Sequence, residues 1–99
     1  MKMIFKKDIN NNNEIVAFMP YEFVNWQGHF TCYVHNGQHG ACDYDYYLSC
    51  KKATKEEYKD LLTELKNIGY EIEIIQKING KKFRCAYNDF LAKNKMLSA

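Results

Sequence analysis

The residue types best suited to chemistry are concentrated in one stretch, positions 33–47, which reads YVHNGQHGACDYDYY. Its fifteen positions hold two histidines, one glutamine, two aspartates, one cysteine and four tyrosines, and two glycines interrupt it. Such a mixture could bind a metal, catalyse acid–base chemistry or bind a ligand. It could equally form a polar turn between two aromatic strands.

Zinc-compatible side chains follow one another here with the pattern C-x2-H-x3-H-x2-C, formed by Cys32, His35, His39 and Cys42. Cysteine and histidine are the side chains that zinc prefers. However, only nine residues separate the outermost two, and strand alternation would point Cys32 and His35 to opposite faces. A thiol on an apolar face is more often a small buried hydrophobe. We therefore expect neither a metal nor a cofactor.

A catalytic interpretation would pair His35 or His39 with Asp43, because a neighbouring carboxylate orients an imidazole. A cysteine nucleophile beside a histidine can also be drawn. Any short segment with two histidines and two acids permits such pairs, so we favour a protein that is not an enzyme. A small hydrolase or ring-opening enzyme built on His39 and Asp43 is the third of our hypotheses.

A binding interpretation uses the loop itself. Gly37 and Gly40 bracket Gln38 and His39, which would let backbone N–H groups approach a ligand. An amide, an imidazole and tyrosine rings together suit a nucleobase, a nucleotide or a protein surface. The candidate binding residues of this stretch are Tyr33, His35, Gln38, His39, Asp43 and Tyr44. The sequence has neither a P-loop nor a dinucleotide-binding glycine motif.

Length and composition indicate a single globular domain over residues 1–99, with 46% hydrophobic and 26% charged residues. No apolar run reaches the roughly 20 residues of a membrane span, and the N-terminus MKMIFKKD lacks the apolar core of a signal peptide. We therefore expect a cytoplasmic location, no membrane partner and four reduced cysteines.

Charge is distributed unevenly along the chain. Residues 1–76 carry eight lysines against eleven acids, a net charge of −3, whereas residues 77–99 carry six basic residues against Asp89, a net charge of +5. A basic end on a mildly acidic body favours a polyanionic or acidic partner. We therefore add Lys81, Lys82 and Arg84 to the candidate binding residues; the alternative is a solvated, lysine-rich hairpin and tail.

The first half of the sequence predicts strands. MKMIFK and EIVAFM (14–19) form a hairpin that Pro20 ends, and residues 21–28 form an aromatic loop. Residues 29–35 form a strand with His29, Thr31, Tyr33 and His35 on one face. Residues 41–50 continue as an extended segment, with a short helical turn at Asp43 as the alternative.

The second half predicts the main helix. Thr54 and Glu57 form a capping box, and a stripe at helical spacing is expected to be buried: Tyr58, Leu61, Leu62, Leu65 and Ile68. Gly69 ends this helix, and residues 70–74 form a strand. Asn79-Gly80 suggests a type I′ turn leading to a return strand through Phe83, Cys85 and Tyr87, before a short C-terminal helix. The predicted fold class is α+β: a mostly antiparallel sheet with one main helix packed on one face and a short C-terminal helix.

Three segments carry a resemblance: AFMP (17–20), YVHNGQHGACDY (33–44) and ATKEEYKDLLTELKNIGYEI (53–72). They resemble small bacteriophage and mobile-element proteins of gut bacteria, which share an HxGQH…DY core and an ATxEEYxxL…IGY helix. The matching core positions are His35, Gly37, Gln38, His39, Asp43 and Tyr44. The resemblance spans about residues 1–76, and the basic segment from Lys77 onward departs from it. Those proteins have other residues at positions 32 and 42, which counts against a metal site.

The resemblance implies a phage-type protein, and such proteins often inhibit host defence, including CRISPR nucleases. Our first hypothesis is an anti-CRISPR-like inhibitor that docks, as a monomer or homodimer, on a bacterial defence protein or its nucleic-acid complex. It would act in the cytoplasm of an infected or element-carrying bacterium. Our second hypothesis is a sponge for a signalling nucleotide, bound by Tyr33, His35, Gln38, His39 and Tyr44.

Overall fold

The computed structural model describes the backbone of residues 1–35 and 38–98 and the side chains of residues 1–35 and 39–94. The elements in chain order are β1 (Lys2–Asp8), β2 (Glu14–Phe23), β3 (Phe30–Val34), β4 (Gln38–Cys42), α1 (Tyr44–Ser49), β5 (Lys51–Lys52), α2 (Lys55–Ile68), β6 (Glu73–Ile74) and α3 (Gly80–Ser98). The sheet order is β4-β3-β2-β1-β5 with antiparallel neighbours, and β6 pairs with β1 in parallel. The predicted α+β class is confirmed.

The first hairpin forms as predicted, with Ile4 opposite Phe18. Asn12 and Asn13 have positive φ angles of 54° and 57°, a conformation that asparagine tolerates better than most residues. The prediction that Pro20 ends the strand is wrong, because Pro20 is buried within β2 and the strand continues to Phe23. The pairing of β2 with β3 shifts register between Met19 and Phe23, and a proline fits such an irregular stretch because it has no N–H to donate.

Both faces of the sheet are buried. One face, which we call the α2 face, carries Met3, Phe5, Ala17, Met19 and Tyr33, packed with Leu61 and Leu65 of α2. The opposite face, which we call the α3 face, carries Ile4, Val16, Phe18, Phe30 and Cys42, packed with Tyr47 of α1 and Phe83 of α3. Adjacent residues of β1 and β2 therefore enter different clusters, so these strands read as continuous apolar runs.

Helix α2 follows the sequence prediction at its start and in its centre. Both hydrogen bonds of the capping box between Thr54 and Glu57 are present, and Leu61 and Leu65 are buried. Ile68 contradicts the prediction because it is 51% exposed. The chain turns at Gly69, with φ at 120°, and the ring of Tyr70 packs against the end of the α2-face cluster instead.

Two segments predicted as extended are helical. Residues 44–49 form α1, in agreement with the alternative of a helical turn at Asp43. The hairpin predicted at Asn79-Gly80 is wrong, since Asn79 Oδ1 accepts a hydrogen bond from Lys82 N (3.0 Å) at the start of α3. The predicted strand at 70–74 is reduced to β6. No helix in the described ranges, 1–35 and 38–98, is long and apolar enough to cross a membrane.

Candidate functional site

The strand pair β3–β4 places the predicted loop residues on different faces of the sheet. Tyr33 lies opposite His39 in the register, and their rings are in edge contact at 4.7 Å between centroids on the α2 face. Cys32 lies with the α3-face cluster, as strand alternation predicted. Gly37 and the side chain of Gln38 lie outside the described residues.

One carboxylate of α2 organises the α2-face group. Tyr33 Oη donates a hydrogen bond to Glu64 Oε2 (2.5 Å), and His35 Nδ1 lies 2.8 Å from Glu64 Oε1. His39 Nε2 and the hydroxyl of Tyr70 are hydrogen-bonded at 2.9 Å. We call these five residues the His–Tyr cluster: Tyr33, His35, His39, Glu64 and Tyr70.

The His–Tyr cluster is suited to fixing the β3–β4 segment onto α2. Tyr33 is fully buried, so its ring has no face available for stacking on a ligand. Glu64 contacts both a phenol and an imidazole, which ties Tyr33 of β3 and His35, directly after β3, to one helix. A histidine beside a carboxylate is also an acid–base pair, but the carboxylate beside His35 is that of Glu64, whereas the prediction paired His35 or His39 with Asp43.

Asp43 has a structural role in this arrangement. Its carboxylate Oδ1 accepts a hydrogen bond from Tyr46 N (2.7 Å) and thereby caps α1. Tyr44, the next predicted residue, belongs to the α3 side, where its ring lies 5.7 Å from that of Tyr47 and 5.8 Å from that of Phe83. The geometry therefore separates Asp43 and Tyr44 from the histidines with which the sequence grouped them.

The four zinc-compatible residues are likewise divided. Cys32 and Cys42 meet on the α3 face, whereas His35 and His39 take part in the His–Tyr cluster. The hydrogen bond with Cys32, together with burial, raises the pKa of the Cys42 thiol, and the same hydrogen bond lowers the pKa of Cys32. Among the residues that the structure describes, no three histidine, cysteine or acidic side chains are arranged to hold a metal ion.

The basic candidates lie on the first turns of α3. Lys81, Lys82 and Arg84 are all exposed there. The helix is anchored by Phe83, whose ring lies 5.0 Å from Phe23 and 5.8 Å from Phe30. One turn later, Tyr87 packs on Phe23 at 5.2 Å and its hydroxyl donates to the carbonyl of Trp26. The basic side chains are therefore presented on a fixed helix.

Comparison with known proteins gives no match for this chain, whether with family models, curated proteins or solved structures.

Proposed function

We propose that this protein acts by binding, and that it docks through the basic start of α3 on an acidic surface of a bacterial defence protein, which it inhibits. The observation that carries the proposal is the charge at this helix end. The N-terminus of a helix has a partial positive charge, so acids are favoured there and cations are not. The first turn of α3 contains no acid, and it holds Lys81 and Lys82, followed by Arg84.

The basic residues are not neutralised by close ion pairs. In the part of the chain that the structure describes, none of Lys81, Lys82 and Arg84 lies within 4 Å of a carboxylate. The Arg84 guanidinium turns back over the first turn, where its Nη1 would lie 3.6 Å from a Cβ added to Gly80. This concentration of charge opposes helix formation locally, and an anionic partner would offset that cost.

The rings of Phe83 and Tyr87 supply the rigidity that a docking surface needs. Both lie on the sheet-facing side of α3, so the basic side chains on its exposed side start from a fixed backbone. A preorganised surface loses less conformational entropy on binding than a flexible tail. The helix is thus a better docking element than the hairpin and tail expected from the sequence.

The choice of partner class rests on the resemblance of residues 1–76 to phage and mobile-element proteins, together with the basic segment that departs from that pattern. The surface met by α3 would be acidic protein, or the phosphate backbone of nucleic acid held in the defence complex. A nucleotide sponge built on the β3–β4 loop has less support, because Tyr33 is buried and Tyr44 lies on the other side of the sheet.

The test is binding to a panel of purified bacterial defence effectors, followed by assay of each bound effector's nuclease activity. The variant is the charge reversal Lys81→Glu, Lys82→Glu and Arg84→Glu, and the matched control reverses the exposed α2 residues Lys55, Lys59 and Lys66. Each exposed pair contributes up to about 1 kcal/mol, so losing three and adding repulsion should weaken binding about 100-fold. The control should bind like the wild type, and salt should weaken binding.

Two results would contradict the proposal. One is an effector that binds the charge-reversed variant as tightly as the wild type. The other is an effector that is bound and inhibited equally by both proteins in low and high salt. His39→Ala should leave effector binding nearly unchanged, because His39 lies in the His–Tyr cluster and not on α3.

A further inference from the structure

A cleft opens at the edge of the sheet where β1 has two partners. β5 pairs antiparallel with Lys6 and Lys7, and β6 pairs parallel with Lys2 and Met3. The chain leaves the sheet after each of these short strands, toward α2 and α3 respectively. The space between them, which we call the edge cleft, has a volume of about 450 Å³. This volume falls within the range of small-molecule sites.

The charged side chains that line the edge cleft are all cations. They are Lys6, Lys52 and Lys77, and no carboxylate is among the described lining residues. Lys6 is held in place, since its Nζ donates to the carbonyl of Tyr47 (2.9 Å) and lies 3.8 Å above the ring of Tyr47. Lys52 and Lys77 are exposed and, within the described part of the chain, have no carboxylate within 4 Å. The cleft is therefore suited to an anionic group.

Aromatic rings form the other part of the lining. Tyr58 is stacked on Phe5, with ring centroids 4.6 Å apart and planes at 19°. Tyr44 is 44% exposed, although its ring is supported by Tyr47 and Phe83. Leu48, one turn after Tyr44 in α1, also lines the cleft and is 57% exposed. A supported but exposed tyrosine beside an exposed leucine offers a surface on which a flat ring can stack.

We propose that the edge cleft binds a nucleotide, with the base against Tyr44 and Leu48 and the phosphate near Lys52 and Lys77. A simple anion would use the lysines and not the exposed rings, and an apolar ligand would not require three cations. A nucleotide uses both. The site is separate from the docking surface, because the lining includes none of Lys81, Lys82 and Arg84. It also differs from the loop site that the sequence suggested, with which it shares Tyr44 alone.

The proposal is tested by calorimetric titration of the full chain with the four common nucleoside monophosphates, with the four corresponding nucleosides, with inorganic phosphate, and with a short single-stranded oligonucleotide. At least one monophosphate should bind at a single site. The corresponding nucleoside and phosphate alone should each bind at least about tenfold more weakly than the monophosphate. The nucleoside keeps only the contacts with the rings, and phosphate keeps only the contacts with the lysines.

Variants locate the site. Tyr44→Ala and Lys77→Ala should each weaken binding about tenfold, whereas Tyr44→Phe and Lys77→Arg should retain most of it because they keep the ring and the charge. Lys59→Ala, an exposed change on α2, should have no effect. The charge reversal on α3 should change nucleotide affinity by about threefold at most in physiological salt, because those charges do not line the cleft. Because the cleft variants and the α3 charge reversal affect different sites, the nucleotide site and the docking proposal can each be refuted without the other.

Three results would overturn the nucleotide site. The first is the absence of saturable binding of every monophosphate at millimolar concentration. The second is binding that both Tyr44→Ala and Lys77→Ala leave unchanged, with folding of each variant checked by circular dichroism. The third is an oligonucleotide that binds much more tightly than any monophosphate, which would indicate a nucleic-acid surface in place of a nucleotide cleft.

Discussion

Glu64 shows what residue-level reasoning can and cannot find. Strand alternation correctly places Tyr33 on the α2 face and Cys32 on the α3 face. Glu64, which accepts the hydrogen bond of the Tyr33 hydroxyl, is 31 residues away in α2. Which residue of α2 faces Tyr33 depends on the angle at which the helix crosses the sheet. A local sequence pattern does not determine that crossing angle. Asp43 is the opposite case, since the hydrogen bond by which it caps α1 is local, and the sequence analysis gave a helical turn at Asp43 as an alternative.

The first residue-scale prediction concerns Glu57. The hydrogen bond from Lys7, followed by that from the backbone of Thr54, lowers the pKa of Glu57 from 4.5 to about 2. A carboxyl group whose pKa is lower in the folded state stabilises the protein above its unfolded pKa, and this contribution is lost as the pH falls through the folded pKa. Wild-type stability should therefore fall more steeply than that of Glu57→Gln between about pH 4.5 and pH 2.

The measurement is urea denaturation across that pH range, with Glu56→Gln as the control. Glu56 occupies the same first turn but takes no part in the capping box, so its variant should keep the steep wild-type dependence. Parallel pH profiles for wild type and Glu57→Gln would show that the contact between Lys7 and Glu57, 2.8 Å in the structure, contributes nothing in solution.

At the element scale, the sequence predicts the main helix α2 because its capping box, its apolar residues at helical spacing and its terminating glycine all indicate a helix. The sequence predicts a strand in place of the first part of α3, because two of the local sequence signals there fit both a hairpin and a helix. Asn79-Gly80 serves a type I′ turn and a helix start equally well, and Phe83 and Tyr87 fit both a strand and the i, i+4 spacing of a helix. Cys85 decides between them, since it is exposed while Phe83 and Tyr87 are half-buried. The rings of Phe23 and Phe30, distant in sequence, provide the surface that selects the helix.

Substitution of Gly80 distinguishes the helix from the hairpin. Gly80 is not among the glycines with positive φ, and an added Cβ would meet only Arg84 Nη1 at an ordinary 3.6 Å. Gly80→Ala should therefore stabilise the protein by about 0.4–1 kcal/mol, because alanine restricts the unfolded chain without strain. If Gly80 instead lay in a type I′ turn, with positive φ, Gly80→Ala would lower the stability of the protein. Gly69→Ala is the matched control: φ at Gly69 is 120°, so the same change should destabilise. Thermal and urea unfolding of the two variants measure both effects.

At the scale of the whole molecule, the fold class was predictable while the number of buried faces was not. The sequence indicated one helix on one face, and the structure adds α1 and α3 on the other. The reason lies in β1 and β2, whose short apolar runs are compatible with a strand buried on both faces and also with a strand buried on only one face. Because neighbouring residues such as Met3 and Ile4 enter opposite clusters, the two clusters share the same three strands.

This shared sheet predicts that the protein unfolds as one unit. Leu65→Ala, in the α2-face cluster, should cost about 2–5 kcal/mol as a buried truncation. The loss should lower the urea midpoint equally when followed by far-UV circular dichroism and by the near-UV signal, to which the packed aromatic rings of the α3 face contribute. Ile68→Ala in the same helix is the control, and its cost should stay at about 1 kcal/mol or less because Ile68 is 51% exposed. Far-UV and near-UV midpoints that differ from each other in Leu65→Ala would show that the protein does not unfold as one unit.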